Sequence, residues 1–582
     1  MSMKKNLLFA TAAMTLVSFS ASAQGLFLVE NAIFDKGSED GRYFVSVDQG
    51  TMLIFDAQEE TYEYFECGED GASPYYSIGF GNVFSQDGTM VGNIDFSTPA
   101  IYKNGEWKPL PIKEEDGVPG KNNSADGITP DGSRICGGIA PEAMGLYAEN
   151  VMLAPVIWEK QANGEYGMYK MLPYPTEDFT GRMPQYVTAR SISDDGKTVV
   201  GQVMDWSGFF PMPIVYHEQA NGEWTYELFG RELVYDVNAI FPEYPSYEPR
   251  YPEATNFMTE EERAAYDAAM LAYDQAVEDY WMGVSDEYPE WPNYMDYMGT
   301  DTQTAYNQAM DIYQAEYIVY QDSVEVFNNV FFDPNVVYNT SYEFNNVAMS
   351  RDGKYYATTF HAVDEENSIP DDPWGLVLTS TPMRFDLTNG CTYEACENTD
   401  ALVSGIMNNG TILLAGPSNS MARNTYLMPA GTTACTRLID YVQAQSPAAA
   451  QLMIENLTFQ EAIMDWETWE TMPGEEALYT GTAASNGPGN VFYGWMVNEF
   501  YGQDWWYLSY SVTFDATTGV AKVSSEGHAA ITSITVTDAS GALVQTSNGS
   551  ALDVIKSLGK GIYFVTTTTA DGAQKTQKVV RH

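Results

Sequence analysis

Imidazole is scarce in this 582-residue chain, which has four histidines: His217, His361, His528 and His582. His528 and His582 fall in the linker and tail, leaving two for any site in the main body. A metal cluster or a Ser-His-Asp relay needs imidazoles at fixed spacing, and two give little material for either. His217 follows an apolar strand end, where it is expected to face solvent or a sheet edge. No HExxH, GxSxG, Gly-rich phosphate loop or CxxC occurs. Carboxylates are the opposite case, with 80 acids against 28 bases and a formal charge of −52. Paired carboxylates can run glycoside chemistry, but so many acids single out no pair, and no catalytic residue is assigned. The same field repels phosphate backbones and anionic membranes, which argues against nucleic acid as a partner. Calcium would offset part of the charge, although nothing in the sequence supports it over simple solubility; no cofactor is predicted.

Two other residue types carry chemistry. Tyr266, Tyr273 and Tyr280 recur every seven residues, and Tyr306, Tyr313 and Tyr320 repeat the spacing. Seven residues make nearly two helical turns, so each set lines one helix face. Thr259 with Glu262 forms a capping-box signature before the first set. The segment 257–332 therefore reads as a helical hairpin whose stripes pack on each other, or else as a projecting contact arm, with Tyr273 and Tyr313 as its test positions. The five cysteines leave at least one unpaired. Cys391 and Cys396 flank TYEA and could close a local loop. Cys136 reads as a buried strand residue, and Cys67 and Cys435 have no assignment.

The elements that would position such groups come in a repeated order. Asp40-Gly41, Asp87-Gly88, Asp131-Gly132, Asp195-Gly196, Asp352-Gly353 and Asn409-Gly410 each precede a short β-rich run. Glycine tolerates the positive φ of such turns, and the aspartates read as turn formers rather than calcium ligands. Ser85, Ser193 and Ser350 stand two residues before their aspartates. A strand with proline two places before a pair ending in an aromatic follows (Pro99–Tyr102, Pro155–Trp158, Pro213–Tyr216, Pro382–Phe385), then Asn-Gly turns at 104, 163 and 221. Strand, turn, strand, loop, strand, turn, strand is a four-stranded meander that must stack on neighbours. A degenerate last unit begins at Gly489. The fold class is mainly β: roughly a seven-bladed β-propeller over 24–520, with the helical hairpin at 257–332 and a shorter helical insert at 436–470. The insert starts at Ser446-Pro447, an N-cap serine and first-turn proline, and is expected to stay helical through AAAQLMIENLTFQEAIMDW. The string SISDDGKTVVG, clearest over 187–228, resembles the HAF-type extracellular repeats of bacterial surface proteins, a likeness that implies a secreted propeller and no chemistry.

Residues 530–582 change character: aromatics become scarce, and Thr and Ser abound. Alternation in Ile531–Val536 and Ile562–Thr568 marks strands of a small β-sandwich. Gly541, the Lys560-Gly561-Ile562-Tyr563 run and Lys578 resemble the C-terminal sorting domain of type IX secretion in Bacteroidetes. That resemblance implies the export machinery as a partner. Residues 1–23 read as a signal peptide, with Lys4 and Lys5 before an apolar stretch and Ala21-Ser22-Ala23 before the expected cut. No later apolar run approaches the ~20 residues a bilayer span needs. The expected location is secreted or cell-surface, reached via the periplasm. Three functions stay open: binding a glycan or surface protein without catalysis, a carbohydrate-active enzyme at the propeller's central face, and a structural surface component.

Overall fold

A computed structural model describes residues 25–514 and 531–581 apart from short stretches, the longer of which are 67–75, 114–122, 141–152, 178–182, 205–210, 243–247, 337–347, 364–377, 418–423 and 548–553. The expected signal peptide and Cys67 lie outside the described residues.

The recurring turn is built from its own side chains. Ser193 Oγ donates to Asp195 Oδ1 at 2.7 Å, and that carboxylate accepts the Lys197 N–H at 3.0 Å. Gly196 sits at φ +71°, where a Cβ is strained. Ser38 with Asp40, Ser85 with Asp87, Thr129 with Asp131 and Ser350 with Asp352 repeat the hydroxyl–carboxylate bond at 2.7–2.8 Å. The glycine that ends VVG has a separate cause. A Cβ on Gly201 would lie 1.6 Å from the Thr188 carbonyl oxygen, just after the preceding Tyr186–Val187 strand, and one on Gly137 would lie 2.0 Å from that of Ser124.

Among the described residues, seven sheets follow in chain order as the blades of the ring. Blade 1 holds Lys36–Gly37, Tyr43–Asp48, Thr51–Asp56 and Thr61–Glu66; blade 2 holds Tyr76–Ile78, Met90–Ile94, Thr98–Lys103 and Glu106–Pro109. Blade 3 holds Ser124–Ile128, Arg134–Ile139, Ala154–Glu159 and Lys170–Met171. In blade 4, Tyr186–Val187 and Ser191–Ile192 both pair with Thr198–Met204, followed by Pro211–Glu218 and Trp224–Leu228. Blade 5 holds Ala348–Met349, Tyr355–Val363, Leu378–Asp386 and Thr392–Ala395; blade 6 holds Leu402–Ile406, Ile412–Gly416, Asn424–Met428 and Thr436–Arg437. Blade 7 takes Thr482–Ser485, Val491–Val497 and Tyr507–Thr513 from the C-terminal side, and its outer strand is Gly25–Glu30.

Turn glycines close the circuit. A Cβ on Gly41, Gly88, Gly132, Gly196, Gly353, Gly410 or Gly489 would meet, in turn, Val491, Tyr43, Ser85, Arg134, Ser193, Tyr355 or Met407, each in the preceding blade. The last blade therefore abuts the first, and the architecture is a closed β-propeller. Between blades the cores are apolar and aromatic, with Trp158, Tyr216, Tyr356 and Tyr510 fully buried.

The tail departs from a free-standing sandwich. Its described strands, Ile531–Asp538, Leu543–Ser547, Gly561–Thr569 and Gln574–Arg581, form one sheet. The last pairs in parallel with Thr61–Glu66, so tail and blade 1 make a single eight-stranded sheet. Val536, Val565 and Val579 share a core with Phe55, Tyr62 and Tyr64, because blade 1 supplies the apolar cover a second layer would otherwise give.

The short insert is helical only in part. Ser446 caps Pro447–Leu457 as expected, accepting the Ala449 N–H at 3.3 Å. Helix then gives way to a hairpin of Thr458–Asp465 with Glu470–Leu478, which corrects the expectation of a continuing helix. Phe459 stacks on Phe500 at 4.7 Å, and this aromatic anchor with β-branched Thr458 overrides the helix formers that follow.

Residues 235–338 form a second compact unit. Its helices run Glu260–Trp281 and Thr300–Phe331, and the first carries the expected Thr259–Glu262 capping box. Among the described ring contacts, the tyrosine stripes meet other segments and not each other. Tyr266, Tyr273 and Tyr280 meet Tyr297, Trp291 and Tyr288 of the connecting segment, while Tyr306 and Tyr313 meet Phe257 and Tyr251 ahead of the first helix. Proline-rich, aromatic straps give each stripe a closer partner than the opposite helix.

Candidate functional site

Three places gather chemistry-bearing groups. The first is where the innermost strands converge. Lys36 Nζ donates to the Phe80 carbonyl at 2.5 Å, and Arg190 lays its guanidinium over the Phe80 ring at 3.9 Å. Arg190 also pairs at 3.4 Å with Asp126, which is wholly buried and accepts the Ser124 hydroxyl at 2.7 Å. Burial pushes the Asp126 carboxyl up against the opposing pull of Arg190, and pushes the Lys36 ammonium down against Asp35 and Asp126. Blades 1 to 4 each contribute: Lys36, Phe80, Asp126 and Arg190. The turns add a second group. Arg351 of blade 5 bonds Asp194 of blade 4 at 2.8 Å and lies 3.6 Å from Glu39 of blade 1, whose carboxylate accepts the Gly487 N–H of blade 7 at 3.2 Å. Burial raises both carboxyls while Arg351 opposes it. Acids do converge near the axis, and these three are each committed to a guanidinium. None of these groups was singled out by sequence reasoning; for Glu39 and Asp194 the signal was an acid directly before an Asp-Gly turn, as in Glu39-Asp40-Gly41 and Asp194-Asp195-Gly196.

The histidines and cysteines form the second group. His361 Nδ1 lies 3.0 Å from Ser380 Oγ on the paired strand, with both residues buried. A Ser-His contact of this kind can activate a nucleophile, but a buried hydroxyl is not presented to a substrate. His217 is half-buried and lies 3.5 Å from Thr198 Oγ1, and burial lowers its ring. Cys391 does not face Cys396: burial holds its thiol up at about 12, beside Glu227, while Cys396 Sγ lies 2.8 Å from Cys435 Sγ. The buried Cys136 thiol is raised further. No group of three metal-ligating side chains occurs among the described residues.

The third place is the 235–338 unit. Tyr273 packs edge-on against Trp291 at 4.9 Å and shares a 3.2 Å hydroxyl contact with Tyr288, which meets Tyr280 at 5.2 Å. Trp281 and Trp291 are 75% and 61% exposed, and Met282, Val284 and Tyr288 beside them are exposed too. Tyr273 therefore supports a surface aromatic patch, whereas Tyr313 lies between Tyr251 and Tyr317 at 5.2 and 5.4 Å, away from it. Sequence reasoning also missed a duplication. AAYDAAMLAY at 264–273 recurs as TAYNQAMDIY at 304–313, and Met258, Tyr266 and Tyr280 all have mates 40 residues on. The contacts obey the same offset. Tyr251 meets Tyr313 as Trp291 meets Tyr273, and Phe257 meets Tyr306 as Tyr297 meets Tyr266, the latter two pairs both at 5.7 Å. Each repeat's lead-in strap lies on the helix of the other.

In the tail, Gly541 turns at φ +82° beneath Asp538, which accepts the Ser540 and Ala542 N–H groups at 2.8 and 2.9 Å. Gly561 opens the next strand at φ +154°, against the Tyr563 ring. Tyr563 packs on the shared core, and Lys578 is exposed opposite Phe564.

Residues 517–582 match the secretion system C-terminal sorting domain. No curated protein matches the sequence. Among solved structures, hydrazine synthase from Kuenenia stuttgartiensis is similar at 11% identity and TM-score 0.37, over 84% of this chain and 97% of that one. The polysaccharide lyase Uly1 is similar at 9% identity and TM-score 0.32, over 85% and 91%. The β-propeller domain of the trilobed protease from Pyrococcus furiosus is similar at 9% identity and TM-score 0.29, over 94% and 98%. The sorting tail directs the chain through the type IX export machinery to the cell surface or beyond. No helix among the described residues is long and apolar enough to cross a membrane.

Proposed function

We propose that this exported propeller is a non-enzymatic binding protein whose contact surface is the aromatic patch of residues 281–291, and that its partner is a protein with a basic surface. The observation supporting this is the exposure of Trp281 and Trp291 beside Met282, Val284 and Tyr288. Exposed apolar patches of this kind mark interaction sites, and Trp and Tyr dominate the energetics of protein contacts. The charge around the patch narrows the partner. Residues 235–338 carry 21 carboxylates against two arginines. Such a rim steers a basic partner and suits lysine or arginine over the indole faces. Acidic polysaccharides would be repelled.

A carbohydrate-active enzyme is the second reading, supported by Asp126, Lys36 and Arg190 around Phe80 near the axis.

The test screens the full-length protein against a display library of surface-protein fragments and against a glycan array. Salt-sensitive binding to lysine- or arginine-rich fragments, abolished in Trp281→Ala/Trp291→Ala with unchanged thermal midpoint, is the expected result. Binding to neutral glycans alone, or binding indifferent to the double substitution, overturns the proposal. Release of sugars from polysaccharides, lost in Asp126→Asn, would establish the enzyme instead.

A further inference from the structure

We infer that Cys396 and Cys435 are joined by a disulfide in the exported protein, fastening the outer edges of blades 5 and 6 to each other. The two thiols come from different sheets and are 39 residues apart in sequence, yet their sulfur atoms lie 2.8 Å apart. Cys396 directly follows the outer strand of blade 5, Thr392–Ala395, and Cys435 directly precedes that of blade 6, Thr436–Arg437. The backbones beside them are already held together. The Glu397 N–H donates to the Thr433 carbonyl at 3.0 Å, and the Thr433 hydroxyl donates to the Glu397 carboxylate at 2.7 Å. No strand has to move to bring the thiols together, and Cα separation is the usual obstacle to bridging two cysteines.

The surroundings favour oxidation of this pair over the other described thiols. Cys435 is partly exposed, so an oxidant can reach it, whereas Cys136 and Cys391 are buried with raised thiols. The sorting tail marks the chain for export, and disulfides persist outside the reducing cytoplasm. The oxidant required is a protein thiol–disulfide oxidoreductase in its disulfide form. The Cys435 thiolate attacks the oxidant's disulfide to give a mixed disulfide, and the Cys396 thiolate then displaces the reduced oxidant. Two S–H bonds break and one S–S bond forms; two electrons reduce the oxidant to a dithiol, which takes up the two protons. A cross-link closing so long a loop restricts the unfolded chain, and its site is the seam between two separate sheets.

The test is peptide mapping of protein collected from the cell surface. The protein is denatured with iodoacetamide but no reductant, then digested with trypsin and a glutamyl endopeptidase. Cuts after Glu394 and Arg423 place Cys391, Cys396 and Cys435 on separate peptides. The expected result is a linked pair carrying Cys396 and Cys435 that dithiothreitol separates, with Cys136 and Cys391 alkylated. Alkylation of both Cys396 and Cys435 in the unreduced sample, or a link from either to Cys391 or Cys67, overturns the inference. A thermal scan provides the second measurement. Dithiothreitol should lower the wild-type midpoint to that of Cys396→Ser/Cys435→Ser and leave the double variant unmoved; an unmoved wild type would show that the link does not fasten the blades.

Discussion

The Thr302 hydroxyl donates to Glu262 Oε1 at 3.0 Å, and these residues hold the same position in the two copies of a 40-residue unit. A residue that bonds its own mate lies where an axis relating the copies would pass. Glu262 also accepts the Gly299 N–H at 2.5 Å, and Gly299 is the mate of Thr259, its capping-box partner. The strap-to-helix ring pairs fall on either side of this point as equivalent twos.

The swap makes the arm one cooperative unit instead of two separable helices. Tyr306 is buried between Phe257 and Tyr294, whereas its mate Tyr266 is only half-buried. Tyr306→Ala should therefore destabilise the arm by about 3–4 kcal/mol and Tyr266→Ala by roughly half that. Hydrogen exchange resolved by segment is the check: Tyr306→Ala should lower protection in both helices together. Loss confined to Thr300–Phe331 would refute the swap.

The VVG glycine predicts an asymmetry among glycines. Gly201→Ala would drive a Cβ into the Thr188 carbonyl, and backbone cannot give way as a side-chain end can. It should cost more than 3 kcal/mol (on the order of a severe overpacking) or prevent folding. Gly164→Ala, in an open turn at φ +86°, meets nothing within 4 Å and should cost only about 1 kcal/mol of backbone strain. Denaturant midpoints of the two variants measure the difference.

A guanidinium bridges the seam between blades 3 and 4. Arg134 Nη1 donates to the Gly196 carbonyl at 2.8 Å and to Glu218 at 2.7 Å, and its other nitrogen reaches Glu159 at 3.1 Å. Arg134 holds the Glu218 carboxyl below its ordinary 4.5. A depressed carboxylate adds stability above its unfolded value and loses it as pH falls through the folded one. Urea midpoints should thus drop as pH falls below 4.5, the unfolded value for Glu218. Arg134→Met should cost roughly 2 kcal/mol at neutral pH and flatten this part of the profile. An unchanged acid limb in the variant would remove the pair from the account.

How much was legible in the sequence follows from the range of each interaction. Ser-x-Asp-Gly turns could be read because Ser193, Asp195 and Gly196 satisfy one another within a few residues. Gly25–Glu30 could not be read as the last strand of blade 7, because GLFLVE carries no turn and its partner Tyr507–Thr513 lies at the far end of the chain. The axial groups share this limit: Glu39 and Arg351 become neighbours only once the ring closes. The helical insert failed at Thr458 since helix propensity is local and the Phe459–Phe500 stack is not. The tyrosine periodicity was visible, but its partners were not, because a spacing of seven identifies a face and says nothing of what covers it.

The tail's place in the sheet changes what its removal should do. Gln574–Arg581 covers the outer strand of blade 1, and Arg581 sits 4.1 Å over the Tyr64 ring while donating to the Leu558 carbonyl at 3.0 Å. Truncation at 530 would open the backbone edge of Thr61–Glu66 and uncover Tyr62, Tyr64 and Phe55, which now share a core with Val536 and Val579. An open, apolar edge strand templates association between copies. The truncated chain should therefore be held in the periplasm, the expected loss of the export address, and should also self-associate when purified. Sedimentation velocity separates the two effects. Arg581→Ala keeps the sorting motif residues but weakens the clamp, so it should reach the surface and show a lowered thermal midpoint. A truncated chain that stays monomeric with an unchanged midpoint would show that the tail is an address alone and that the shared sheet contributes nothing to the propeller.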